Sequence, residues 1–192
     1  MTVGLATGPW APGSPGALNR SMIRVCTSFC SPTHTSRAAR DLPAPVWSAI
    51  EAADVVVHAG DWVSMELYEA LSRRSRRLVG CHGNNDGPEL HRLLPRVARV
   101  ELAGIRLTVV HETGQATGRE RRCDAEHPDV DVLVFGHSHI PWDTVSPSGM
   151  RLLNPGSPTD RRRQPFATFM TASVHDGALG DVELHRIQRW DR

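Results

Sequence analysis

Apolar and polar positions alternate in two rhythms along this chain. Val46, Trp47 and Ile50 recur at helical spacing within 45–52, and Leu67, Tyr68 and Leu71 do so within 65–72. Each set predicts a helix with one buried face. Between them, 54–58 is apolar without alternation and reads as a parallel strand covered on both sides. With strand-like runs at 23–30 and 78–81, the order is β-α-β-α-β, the signature of an α/β fold. The second half changes character. Runs at 97–102 and 105–111 flank Ala103-Gly104, a two-residue hairpin signal. A polar, helix-compatible stretch at 117–127 precedes an apolar strand at 130–135. Pro147-Ser148-Gly149 turns 142–145 back into 150–153, and Asp176-Gly177 joins 166–174 to 178–185. These elements predict one domain over 22–192, with two central sheets and helices outside.

Residues 1–21 contain Gly8-Pro9, Pro12-Gly13 and Pro15-Gly16 and no periodic element, so they are expected to form a disordered leader, with Met22 an alternative start. At 192 residues the chain suits a single core. A formal net charge of +1 gives no field to recruit nucleic acid, and no apolar run approaches the ~20 residues that span a bilayer. The leader lacks the charged and apolar regions of a secretory signal. Cys26, Cys30, Cys81 and Cys123 show no disulfide spacing, and no second Cys/His pair completes a zinc site near Cys26 and Cys30. Free thiols in a reducing compartment, the cytoplasm, are the expectation.

The chemistry lies where the strands stop. The run 55–58 leads into Gly60-Asp61, and 78–82 into Gly83-Asn84-Asn85-Asp86. The run 105–110 ends at His111, and 130–135 ends at Gly136-His137-Ser138-His139. Ligands at the carboxyl ends of neighbouring strands gather in one crevice. Asp61 offers a carboxylate able to bridge two ions, Asn84 a neutral carbonyl oxygen, and His111, His137 and His139 imidazoles; His34 follows the first strand. Mixed nitrogen and oxygen ligation suits manganese, iron, zinc or nickel better than calcium or magnesium. Two such ions would supply a nucleophile and clamp phosphoryl oxygens during in-line attack.

In this order, the segments resemble the calcineurin-like metallophosphoesterase superfamily. The short length and Asn154-Pro155-Gly156-Ser157 resemble its small bacterial and archaeal phosphodiesterase branch, which also includes the scaffold subunit of the retromer coat. The resemblance covers about 22–188. It implies a four-layer α-β-β-α sandwich of two central mixed sheets and a site for two divalent transition metal ions, manganese first among them. By position, His34, Asp61 and His139 would hold the first ion, and Asp61, Asn84, His111 and His137 the second. Asn84, Asp86 and His111 are the implied catalytic residues, with Asp86 orienting its neighbours. The implied partner is a small phosphoester, and a homo-oligomer is compatible with the class.

Two positions depart from the pattern. The opening motif of the family is Asp-x-His, but this chain has Pro32 before Thr33-His34. Proline offers neither a ligand atom nor an N–H. The first ion is therefore expected to bind weakly or to be lost, which leaves a metal-poor scaffold on the same fold as the alternative. Asn85 stands where many relatives carry a histidine that assists the leaving group. An amide is no general acid near neutral pH, so acidic leaving groups are favoured. Asn85 is kept as a substrate contact, as is Arg161 in the run Arg161-Arg162-Arg163. His58 reads as a structural residue near the site and His82 as packed or catalytic. His91, His127, His175 and His185 are assigned to the surface.

Overall fold

The computed structural model describes residues 20–26 and 42–187. The predicted leader lies outside these residues except for its last two positions. The first strand, β1 (Arg20–Cys26), starts inside the expected leader and before the apolar run at 23–30. The reason is that pairing is made by backbone: Arg20 and Ser21 stand opposite His175 and Val174 whatever their side chains. Residues 27–41, including Cys30, Pro32 and His34, lie outside the described residues, as do 188–192.

After β1 the chain runs through α1 (Ala44–Ala52), β2 (Val55–Ala59), α2 (Met65–Arg74), β3 (Leu78–Cys81) and α3 (Pro88–Leu93). It continues with β4 (Val97–Leu102), β5 (Ile105–Val110), α4 (Arg119–Glu126), β6 (Val132–Phe135), β7 (Trp142–Val145), β8 (Arg151–Asn154), β9 (Ala167–His175) and β10 (Ala178–Ile187). Helix α3 went unforeseen; it is a six-residue helix that starts at Pro88, with only Leu90 buried, too little to show a period.

Two five-stranded sheets form, in the orders β10-β9-β1-β2-β3 and β4-β5-β6-β8-β7. Both are mixed. In the first, β1, β2 and β3 are parallel, whereas β9 is antiparallel to both β1 and β10. In the second, β5, β6 and β8 are parallel, with β4 and β7 antiparallel at the edges.

Alternation along the strands builds the layers. Val55, Val57 and Ala59 face Leu107, Val109, Val132 and Val134 across the space between the sheets. Their neighbours point the other way: Val56 and Leu78 meet Val46, Ile50, Leu67 and Leu71 of α1 and α2. On the far side, Leu133, Phe135 and Leu152 meet Cys123 of α4. The order is therefore helices α1 to α3, sheet, sheet, helix α4, which is the four-layer sandwich. Strands covered on both faces must be apolar throughout, which is why β2 and β6 lack a two-residue period. At the other end of the molecule the two hairpin tips touch, with the Gly177 N–H donating to Ala103 O at 2.9 Å.

Candidate metal centre

Four strand ends converge at one mouth of the sandwich. Asp61 follows β2, Asn84 follows β3, His111 follows β5 and His137 follows β6. One atom each from Asp61, His111 and His137 lies within 4.8 Å of the others. Asn84 Oδ1 is 2.9 Å from His111 Nε2 and 3.0 Å from His137 Nδ1, and those two nitrogens are 3.2 Å apart. Asp61 Oδ1 is 3.4 Å from His111 Nε2.

The tautomers give these distances their meaning. His111 Nδ1 is 2.7 Å from the Ala59 carbonyl, which can only accept, so Nδ1 carries the proton and Nε2 of the neutral ring is bare. Nε2 thus points a lone pair at the oxygens of Asn84 and Asp61. A proton on His137 Nδ1 can be shared between Asn84 Oδ1 and His111 Nε2, but it leaves that bare nitrogen facing the Asp61 carboxylate. A divalent cation satisfies these contacts together, and mixed nitrogen and oxygen donors suit the transition metals. His137 Nε2, on the far side of its ring, faces Glu112 Oε1 at 3.7 Å.

Local backbone is bent to make this possible. Asp61, Val63, His137 and His139 all have positive φ, at 59°, 68°, 63° and 57°. Non-glycine residues adopt this region at a cost of about 1 kcal/mol or more each, and such strain concentrates at functional sites. Asp86 holds one bend. Its Oδ2 accepts the backbone N–H groups of Asp61 at 3.1 Å and Gly83 at 2.7 Å, and its Oδ1 accepts that of Val63 at 3.1 Å. Burial pushes the Asp86 carboxyl up, against these donors, which favour the carboxylate. The indole N–H of buried Trp62 adds a second tie, donating to Cys81 O at 2.8 Å. Glycine is required where the loops touch: a Cβ on Gly60 would lie 2.6 Å from His111 Nδ1, and one on Gly83 would lie 2.9 Å from His111 Cε1.

His139 is held apart from the cluster. Its Nδ1–H is shared between the Asp160 carbonyl at 3.0 Å and the Asp160 carboxylate at 3.2 Å. Nε2 is left buried and without a hydrogen-bond partner among the described residues. Burial lowers the pKa of His139, and Arg162 adds to this, while Asp160 acts in the opposite direction. A bare, buried imidazole nitrogen in the loop that also carries His137 is what a second ion would use. His34, its expected co-ligand, lies outside the described residues. The loop carrying both histidines is fastened by Asn154, whose Nδ2 donates to Gly136 O at 2.9 Å and Ser138 Oγ at 3.2 Å.

The remaining predicted residues divide. Asn85 is joined to Asp61: its backbone N–H donates to Asp61 Oδ1 at 3.0 Å and its Nδ2 to Oδ2 at 2.8 Å. A carboxylate buried this deeply draws in the nearest donors. Arg161 is turned onto its own loop, donating to Gln164 O at 2.7 Å. His58 is fully buried and stacks on Trp62 with centroids 3.8 Å apart. Burial, with His111 nearby, drops its pKa to about 3, so it is a neutral structural group. His82 packs against the exposed His91 at 4.0 Å. His175 is exposed, but His127 and His185 are half-buried rather than surface groups, and His185 stacks on Phe169. Cys81 and Cys123 are free and buried. Asp86 has the orienting role that the family resemblance implied, through three amides that the sequence does not name. Sequence reading missed Trp62's tie and Asp160, while Asn154 lies within the Asn-Pro-Gly-Ser segment it singled out.

The chain belongs to the calcineurin-like phosphoesterase superfamily, whose domain matches residues 27–177. Within it, the chain is 32% identical to a probable metallophosphoesterase of Methanocaldococcus jannaschii, over 76% of this chain and 74% of that one. It is 30% identical to one from Methanothermobacter thermautotrophicus, over 81% and 89%. Among solved structures, the fold matches Vps29 of Chaetomium thermophilum with TM-score 0.70 at 19% identity, covering 87% of this chain and 97% of that one. It also matches zinc-complexed Vps29 of Entamoeba histolytica with TM-score 0.68 at 20% identity, covering 86% and 98%.

Proposed function

We propose that this protein is a metal-dependent phosphodiesterase of the cytoplasm, acting on small phosphoesters. The observation that carries the reading is the meeting of Asn84 Oδ1, His111 Nε2 and His137 Nδ1 within 3.2 Å of one another beside the Asp61 carboxylate, more lone pairs than protons can satisfy. Asp61, Asn84, His111 and His137 would hold one ion; Asp61 and His139, with His34, would hold the other more weakly because of Pro32. Bound divalent ions, manganese first among the candidates, supply Lewis acidity toward phosphoryl oxygens and a water nucleophile at neutral pH. The chain's own part is orientation. Asp86 fixes the two loops that carry Asp61 and Asn84, and the Ala59 carbonyl fixes the tautomer of His111.

No general acid stands at position 85. Asn85 is engaged with Asp61 and cannot deliver a proton, so the leaving group must depart as a weakly basic anion. Aryl phosphodiesters meet that requirement, and alkyl phosphomonoesters do not. The test is turnover of a bis-aryl phosphodiester against an alkyl monoester by protein loaded with manganese or zinc. Faster diester cleavage supports the reading, and equal or faster monoester cleavage overturns it.

A second reading is favoured by Pro32: a metal-poor scaffold, as the likeness to the Vps29 fold allows. Elemental analysis after metal loading separates the two. An ion bound with diester turnover supports the enzyme; background metal with no turnover supports the scaffold.

A further inference from the structure

The geometry around His139 points to Asp160 as a positioning residue, and we propose that it orients His139 and lends negative charge to the first ion. This rests on the metal-dependent reading above.

His139 is buried, and both acceptors of its Nδ1–H belong to one residue, the carbonyl and the carboxylate of Asp160. That pairing fixes the proton on Nδ1 and leaves the lone pair on Nε2, which has no hydrogen-bond partner among the described residues. A carboxylate on the far nitrogen of a ligating imidazole makes the near nitrogen more basic and holds the ring in place, and losing it lowers metal affinity about 10–100-fold. Asp160 is itself built in. Its backbone N–H donates to buried Ser157 Oγ at 3.0 Å, and its Oδ1 accepts the Arg162 N–H at 3.0 Å. The position is thus set by the loop after β8, which Asn154 ties to the histidine loop.

The need for this charge is written in the sequence. With Pro32 at the aspartate position, Asp61 is left as the carboxylate expected at both ions. Two divalent cations on one carboxylate and neutral donors repel each other with little compensation. Asp160 places a second negative charge one imidazole away from the first ion. The Arg162 guanidinium, 4.0 Å from the same carboxylate, works against it.

The test is zinc titration by calorimetry of the full chain, with Asp160→Asn made in the wild type and in a Pro32→Asp background. Asp160→Asn should weaken the weaker site tenfold or more and leave the tighter site within twofold, with the unfolding temperature unchanged. Arg162→Ala should shift the weaker site the other way, and Asp160→Glu should recover part of the loss. Where the wild type binds one ion only, the Pro32→Asp pair provides the comparison. Both sites unchanged on Asp160→Asn, or both weakened alike, would overturn the assignment while leaving the phosphoesterase reading intact. No zinc bound by any of these proteins overturns that reading, and the assignment with it.

Discussion

The two halves of the metal centre are built to different standards. The half around Asn84, His111 and His137 is assembled from three strand ends, with the His111 tautomer set by the Ala59 carbonyl and the donor atoms already 2.9–3.2 Å apart. The half around His139 offers one oriented imidazole with a bare nitrogen and depends on a carboxylate that is one residue removed from the ion. The difference teaches that a ligand set can erode from one side. On the two-ion reading proposed above, Asp61 would serve both halves, so proline in place of aspartate at position 32 would weaken one ion without dismantling the other's cage.

The largest effect should come from attacking the intact half. His111→Ala removes the nitrogen that meets both Asn84 and Asp61 and also frees the Ala59 carbonyl. Calorimetric metal affinity should fall roughly a hundredfold or more, a loss of about 2.7 kcal/mol, since the remaining donors hold divalent ions poorly. An affinity within tenfold of wild type would mean that the two halves are not so unequal.

The floor beneath the intact half sets the acid limit of stability. His58 has a folded pKa of about 3 against 6.5 in the unfolded chain. Below pH 6.5 the unfolded state takes up a proton that the folded state refuses. Stability is therefore present above that pH and is lost as pH falls toward 3, by about 2 kcal/mol at pH 5 from this group alone. Urea midpoints between pH 8 and 5 should fall less steeply in His58→Phe than in wild type. Burial lowers His139 too, so some slope should remain.

Repairing the weak half should gain less than breaking the strong one loses. Pro32→Asp returns a carboxylate to the segment before His34. The variant should bind one further equivalent of metal and gain about tenfold in diester turnover, near 1.4 kcal/mol of transition-state stabilisation. Unchanged stoichiometry by elemental analysis would show that this segment does not face the first ion.

Much of the scaffold around this site was legible in the sequence. The helical faces of Val46, Trp47 and Ile50 and of Leu67, Tyr68 and Leu71 were legible because amphipathic burial imposes a period, and all six are buried as expected. The residues that gather at the mouth, Asp61, Asn84, His111 and His137, were legible because each follows an apolar strand. What stayed hidden is how they are held. Asp86 was given an orienting role by resemblance, but it works through three backbone amides, and a sequence carries no mark for an amide's partner. Asp160 reaches His139 from 21 positions along the chain, a pairing made by the fold alone. The contacts of Asn85 with Asp61 were also illegible, because the pull of a buried carboxylate is a property of burial, not of residue order.

The smallest effect concerns Asn85 and distinguishes the centre with metal from the centre without it. In the metal-free protein, Asp61 is almost fully buried, and the Asn85 side-chain amide is one of the donors that make its charge tolerable. Asn85→Ala deletes that donor and keeps the backbone one, so the metal-free protein should lose about 1 kcal/mol, the typical net worth of a single hydrogen bond. A bound ion neutralises the same carboxylate far more effectively than an amide does. Loaded with zinc, Asn85→Ala should therefore unfold within a degree or two of the loaded wild type, while the metal-free pair differ by several degrees. An equal gap in both states would mean that Asn85 supports the loop rather than the charge of Asp61, and that the ion does not take over that charge.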